Sequence, residues 1–94
     1  MDNKISIVIP VGDVAPYLRQ CLASALGQTL REIEVVCVDD ASRDGSLAIL
    51  EEHARRDARL RLLRHATVQS ASQARKDGVL AAKGEFVMFL DGDD

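Results

Sequence analysis

A chain of 94 residues with 47% hydrophobic and 29% charged residues has the make-up of one small globular domain, or part of a larger one, and not of a disordered segment. Its formal net charge of −3 offers no basic field to nucleic acid, and its three aromatic residues, Tyr17, Phe86 and Phe89, are too few for a base-stacking platform. No apolar stretch approaches the roughly 20 residues of a membrane-spanning helix, and the opening "MDNKISIVIP" lacks the longer apolar region of a signal peptide, so a cytoplasmic location is expected.

The first apolar run, "ISIVIP" (5–10), is nearly continuous in Ile and Val, the pattern of a strand covered on both faces. It is followed by "DVAPYLRQCLASALGQT", in which Tyr17, Leu18, Cys21, Leu22 and Ala25 recur at spacings of three and four and line one helical face. Asp13 is the expected N-cap, Pro16 falls in the first turn, and Gly27 marks the far end. A second buried strand is expected at "IEVVCV" (33–38), then a helix in "DGSLAILEEHARRDA" capped by Asp44 or Ser46, with Leu47, Leu50 and Ala54 on one stripe. Cys21 and Cys37 lie within apolar surroundings and are read as reduced, buried thiols. "LRLL" (60–63) alternates with arginine and reads as an edge strand. In "SASQARKDGVLAAKG" the small residues Ala71, Ala74, Gly78 and Ala82 share one side, suiting a helix that approaches a sheet closely, and Gly84 stops it. The last run, "FVMFL" (86–90), is again continuous and predicts a buried strand. The order β-α-β-α-β-α-β implies a parallel sheet with right-handed crossovers, a Rossmann-like three-layer α/β/α arrangement.

In an open parallel α/β sheet, ligands bind outside the carboxyl ends of the strands. Here the first strand ends in "PVGD" (10–13), the second in Asp39 and Asp40, and the fourth in "DGDD" (91–94), whose carboxylates are Asp91, Asp93 and Asp94. Two unit charges about 4 Å apart repel by about 1 kcal/mol in water and about 4 kcal/mol at a protein-surface dielectric. Carboxylates crowded on one rim therefore need solvation, protonation or a cation. Hard oxygen ligands suit Mg²⁺ or Mn²⁺, which commonly bind through one or two carboxylates and the oxygens of a substrate phosphate. A D-x-D after a strand accordingly points to a metal–diphosphate site at Asp91 and Asp93, against the plainer reading of aspartates as turn formers and caps. Arg75, near the start of the third helix, is positioned to meet a phosphate or to hold an aspartate. His53 and His65 have no partner at ligand spacing and read as surface residues.

Taken together, "ISIVIPV", "PYLRQCLASALGQTL", "IEVVCVDDASRDGSLAIL" and "AKGEFVMFLDGDD", in this order and spacing, closely resemble the N-terminal half of family-2 glycosyltransferases of the GT-A fold. The resemblance covers the whole chain. It implies a nucleotide-diphospho-sugar donor, commonly a UDP-sugar, bound over the carboxyl ends of the strands, and an unknown glycan or lipid acceptor. By this likeness Asp40 corresponds to the aspartate that hydrogen-bonds the uracil edge, with Asp39 beside it, and Pro10 and Val11 to the loop leading to the base. Arg75 corresponds to the arginine of the family's A-R-N segment, Asp93 to a direct metal ligand, and Asp91 to a contact with the ribose or the metal's water shell. Two positions depart from the family pattern: Gly12-Asp13 replaces an aromatic-containing pair near the base, and Lys76 replaces the asparagine after Arg75. The resemblance further implies that residues 1–94 are the nucleotide-sugar-binding part of a truncated GT-A domain, with no catalytic residue among them. The general base and the acceptor pocket are expected after Asp94. Such a fragment is expected to bind donor nucleotide without transferring sugar, and to self-associate through uncovered apolar surface. Three other readings remain at this point. A haloacid-dehalogenase-type phosphatase would carry its D-x-D on the first strand, and a dinucleotide-binding domain would need G-x-G-x-x-G after it. A non-catalytic nucleotide-binding or interaction module is the third.

Overall fold

The computed structural model describes residues 4–27 and 32–90. In chain order these form β1 (Ile5–Val11), α1 (Ala15–Leu26), β2 (Ile33–Asp39), α2 (Ser46–Arg56), β3 (Leu60–Arg64), α3 (Ala71–Ala81) and β4 (Phe86–Phe89). The strands lie in the order β3-β2-β1-β4, and every pairing is parallel. The expected element order and three-layer arrangement are both present.

Period-two alternation divides the strand residues between the two helical layers. Ile7, Ile9 and Val11 of β1, with Ile33, Val35 and Cys37 of β2, join Leu18, Cys21, Leu22 and Ala25 of α1 and Leu50 of α2 in the larger core. Val8, Val36 and Val38 face the other way and meet Ala74 of α3. Both cysteines are free and buried, as expected. Burial pushes the Cys37 thiol far above its ordinary range, with the nearby Cys21 adding to the effect, so it stays protonated and inert.

Two expectations about burial need correction. β4 is as apolar as β1, yet all four of its residues are exposed, Phe86 by 64% and Phe89 by 51%. It is the outer strand beside β1, and no described helix covers its faces, so continuous hydrophobicity signalled a strand without telling what would cover it. In α3, Ala74 and Gly78 are buried, whereas Ala71 is exposed in the first turn and the helix ends at Ala81, before Gly84.

The close approach of α3 to the sheet depends on Gly78. A Cβ added there would overlap Val8 Cγ1, and would also press on Val38 Cγ2. Below this contact the amino-terminal side of the sheet holds a buried carboxylate. Glu34 is 2% exposed, and its oxygens accept the Ser6 hydroxyl (2.6 Å), Arg61 Nη1 (2.9 Å) and the Lys83 backbone N–H. Arg61 Nη1 also donates to the Ala81 carbonyl at the end of α3 (2.8 Å), and the Gly84 N–H donates to Ser6 Oγ (2.8 Å). Burial pushes the Glu34 carboxyl up, but the bonds from Ser6, Lys83 and Arg61, with the Arg61 charge, outweigh it and hold the group below its ordinary value.

These contacts generate two stability predictions. Gly78→Ala, normally worth about 1 kcal/mol to a helix, should here cost a net ~1–2 kcal/mol because overpacking against Val8 outweighs the propensity gain; the urea midpoint should fall at unchanged slope. Glu34→Gln should cost about 2 kcal/mol at neutral pH through the loss of charge-assisted bonds. A lowered folded value means that the Glu34 contribution is present above the unfolded value and lost as pH falls through the folded one. The gap between wild type and Glu34→Gln in urea titrations should therefore narrow progressively as pH falls below the ordinary carboxylate range.

Candidate functional site

The parallel register brings Val11, Asp39 and Arg64 level across the ends of β1, β2 and β3. The ladder runs one step further: the Asp40 N–H donates to the Val11 carbonyl and the His65 N–H to the Asp39 carbonyl, both at 2.8 Å. β4 ends lower, with Phe89 opposite Val8 and the Leu90 N–H bonded to the Val8 carbonyl. Its carboxyl end thus opens on the same edge of the sheet as those of β1 and β2. Asp91 and Asp93, the expected metal ligands, follow Leu90 in the sequence and lie outside the described residues. So does Asp94, the residue after which the general base is expected.

Asp39 and Asp40 serve opposite faces. Asp39 is 2% exposed, and its carboxylate is wrapped by Ser42, whose hydroxyl donates to Oδ1 and whose N–H donates to Oδ2 (3.3 Å). The turn runs through Ala41 in a left-handed conformation (φ 54°). Asp40 turns toward α3: its Oδ1 accepts His65 Nδ1 and the Gln69 N–H, both at 2.8 Å, and the Ser70 N–H also faces the carboxylate. Those N–H groups lead directly into α3, whose first turn is capped by Ser70 Oγ accepting the Gln73 N–H at 3.0 Å.

Asp13 does not cap α1 as expected. It has left-handed backbone (φ 52°), and its Oδ1 accepts the N–H groups of Arg43 (2.6 Å) and Asp44 (3.2 Å) in the loop after β2. That loop reciprocates: Asp44 Oδ2 accepts the Ala15 N–H (3.0 Å) and Ser46 Oγ the Val14 N–H (3.1 Å). The first turn of α1 is therefore capped from the neighbouring loop, and the two loops form one stitched unit. Asp44 Oδ1 also accepts the Ser46 N–H at 2.9 Å, but Gly45, and neither Asp44 nor Ser46 as expected, occupies the cap position of α2.

Pro10 is half-buried at the rim, while the Val11 side chain is in the core, leaving its carbonyl bonded to Asp40. Arg75 is half-buried in the second turn of α3, beside the buried Ala74.

His65 is the largest departure from the sequence reading. It is not a surface residue: its side chain is 8% exposed and lies between two carboxylates, Nδ1 on Asp40 Oδ1 at 2.8 Å and Nε2 on Asp77 Oδ2 at 2.7 Å. Gln73 Nε2 steadies Asp77 Oδ1 at 2.9 Å. The bond to Asp40, then the bond to Asp77, raises the imidazole above its ordinary value against a smaller opposing effect of burial. For Asp40, burial acts upward but His65 and the backbone donors prevail, so its carboxyl is lowered; Asp77 is lowered chiefly by His65 and Gln73. The contribution from His65 is thus present below the ordinary imidazole value and lost as pH rises through the raised one. The carboxylate contributions are present above the ordinary carboxylate value and lost as pH falls through the lowered ones. The available signal was positional: His65 directly follows a strand, at the same rim that singled out Asp39 and Asp40.

Among the described residues no group of three His, Cys, Asp or Glu side chains could hold a metal ion. The described rim carboxylates are already occupied: Asp13 by backbone N–H groups, Asp39 by Ser42, Asp40 by His65 and Gln69.

One known protein resembles this chain in sequence, and two solved structures resemble it in fold as well. EpsJ, an uncharacterized glycosyltransferase of Bacillus subtilis, is 42% identical over 90 residues, which are 96% of this chain and 26% of EpsJ. The crystal structure of S. aureus TarS 1–349 superposes with a TM-score of 0.89 at 34% identity, over 97% of this chain and 28% of that one. TarS has also been solved with UDP and with UDP-GlcNAc. The mannosyltransferase PcManGT of Pyrobaculum calidifontis, solved with GDP-Man and Mn²⁺, gives a TM-score of 0.88 at 25% identity, over 99% of this chain and 28% of that one. The chain spans about a quarter of the length of these proteins. The profile named Glycosyl transferase family 2 matches residues 6–94, and the chain belongs to that family.

Proposed function

We propose that this chain is the donor-binding part of an inverting glycosyltransferase that uses a nucleotide-diphospho-sugar, most simply a UDP-sugar. The observation that carries the reading is Asp40, held by His65 and Gln69 at the carboxyl rim of a parallel sheet in a family-2 chain. Support for a uridine donor comes from TarS, 32% identical and solved with UDP-GlcNAc. A carboxylate fixed by donors behind it can accept the N3–H of uracil without first becoming ordered, so little affinity is spent on positioning. Pro10 and the Val11 backbone border the same rim, and Asp39 acts through Ser42 by shaping the turn that carries Asp40. Arg75 is assigned to the diphosphate, for which a guanidinium is suited in both charge and geometry.

The described rim carboxylates are engaged in their own bonds, so a divalent cation falls to Asp91 and Asp93, whose hard oxygens suit Mg²⁺ or Mn²⁺; PcManGT, bound to Mn²⁺, supports this assignment. Bound there, Asp93 as ligand and Asp91 on the ribose or the water shell, the cation would supply the positive charge that stabilises a departing diphosphate. In the transfer itself, an acceptor hydroxyl oxygen bonds to the anomeric carbon as the bond from that carbon to the diphosphate oxygen breaks. The hydroxyl proton passes to a general base. That base is assigned to none of Asp13, Asp39 or Asp40, each already hydrogen-bonded.

Calorimetry with UDP and Mn²⁺ tests the donor site. Asp40→Ala should weaken UDP binding about tenfold or more through loss of a charge-assisted bond, whereas Asp39→Ala should act mainly through stability. A folded wild-type chain that ignores UDP would favour an interaction module instead. Chelation of the cation, or Asp93→Ala, should weaken UDP strongly but leave binding of uridine, which carries no phosphate, unchanged. Equal losses for UDP and uridine would count against a metal–diphosphate contact.

A further inference from the structure

Among the described ionisable groups near the rim, His65 alone is enclosed between two carboxylates, with only 8% of its side chain exposed. We propose that His65 is a positioning residue for the donor's base: as an imidazolium spanning Asp40 and Asp77, it fixes the Asp40 carboxylate in the orientation that receives a uracil N3–H. The proposal rests on the donor-site reading and adds to it a proton-dependent support.

The geometry carries the argument. A neutral imidazole has one N–H and one lone pair, and here both ring nitrogens face carboxylate oxygens, at 2.8 Å and 2.7 Å. Only the doubly protonated ring can donate to both. In either neutral tautomer one nitrogen lone pair would meet a carboxylate oxygen at hydrogen-bond distance, and the ring must tilt or a partner must leave. Asp40 Oδ1 is also tied to the Gln69 N–H (2.8 Å), so a tilt of the ring is transmitted to a carboxylate that is already anchored at its other donor. The groups facing the ring are Asp40, from beyond β2, and Asp77, from α3; Lys76 acts on Asp77 from the same helix, and Arg64 precedes His65 in the chain. The imidazole is raised by these two carboxylates, in keeping with the geometry. Both ring nitrogens of His65 are engaged by carboxylates and its side chain is 8% exposed, so it acts on a ligand through Asp40.

Uridine is the probe, because it lacks the phosphate whose own titration would mask that of the imidazole. Nitrogen and proton NMR of the His65 ring, followed from pH 5 to 8.5 in the 94-residue chain, should show both N–H groups persisting above the ordinary imidazole value of 6.5. Uridine affinity, measured on the same samples, should fall about threefold to tenfold across that titration, the span of one hydrogen bond. Asp77→Asn, at a residue that bonds His65 and is assigned no donor contact, should move the imidazole midpoint and the affinity midpoint down together. His65→Gln, checked for folding by its amide spectrum, should bind uridine more weakly and without dependence on pH in this range. Uridine affinity that stays flat while His65 titrates would overturn the positioning role and leave the donor site standing, as would a ring that is neutral already below pH 6.5. A folded wild-type chain with no affinity for uridine or UDP at any pH would overturn the donor-site reading and this proposal with it.

Discussion

The end of β2 is the constraint on which the rim depends. Its Asp39 is flanked at the same level by Val11 and Arg64, and the backbone bonds from Asp40 to Val11 and from His65 to Asp39 carry the ladder past the last strand residues. Backbone held on both sides in this way has no freedom to choose where its side chains go. The period of two then sends adjacent aspartates to opposite layers: Asp39 to the loops that start α1 and α2, Asp40 to the approach to α3. One two-residue sequence thereby ties both helical layers to the central strand.

That division also settles how so much negative charge is accommodated. Asp13, Asp39, Asp40, Asp44 and Asp77 each accept hydrogen bonds from backbone N–H groups, serine or glutamine side chains, or His65. Carboxylates satisfied by short, fixed donors lose much of the repulsion that the bare sequence suggested. A cation is consequently not required to hold the described rim together. Its proposed place at Asp91 and Asp93 then belongs to ligand chemistry and not to the fold, in contrast to structural metal sites where binding and folding are one event.

Much of this was legible from the amino acids. Strand and helix identities followed from the periods of the apolar residues, and the rim location of Asp39 and Asp40 followed from the rule about strand ends. What escaped detection had a common cause: it depended on contacts between segments distant in the sequence. His65 finds Asp40 25 residues upstream and Asp77 12 downstream, so no local spacing announced it. Asp13 looked like a cap for its own helix, yet its partners lie 30 and 31 residues away, and the cap comes from the reciprocal Asp44. β4 was misread because apolar composition fixes a strand's preference for burial without supplying the surface that buries it.

The same contacts determine how rigidly α3 is held. At its amino end the approach to the helix is bonded to Asp40, and Asp77 is joined to that carboxylate through His65. At its middle Gly78 lets the helix lie directly on Val8, and at its carboxyl end the Ala81 carbonyl is bonded to Arg61, which is paired with buried Glu34. A helix secured at three heights moves with the sheet, since any sliding or rolling would break a bond at one end or a packing contact at the centre. Arg75 is carried by that helix between the first two of these attachments. The separation between Asp40 and the backbone of Arg75 is therefore set by the core and not by a mobile loop. For the proposed donor, the base contact at Asp40 and a phosphate contact at Arg75 would be set apart by a span fixed before any ligand arrives.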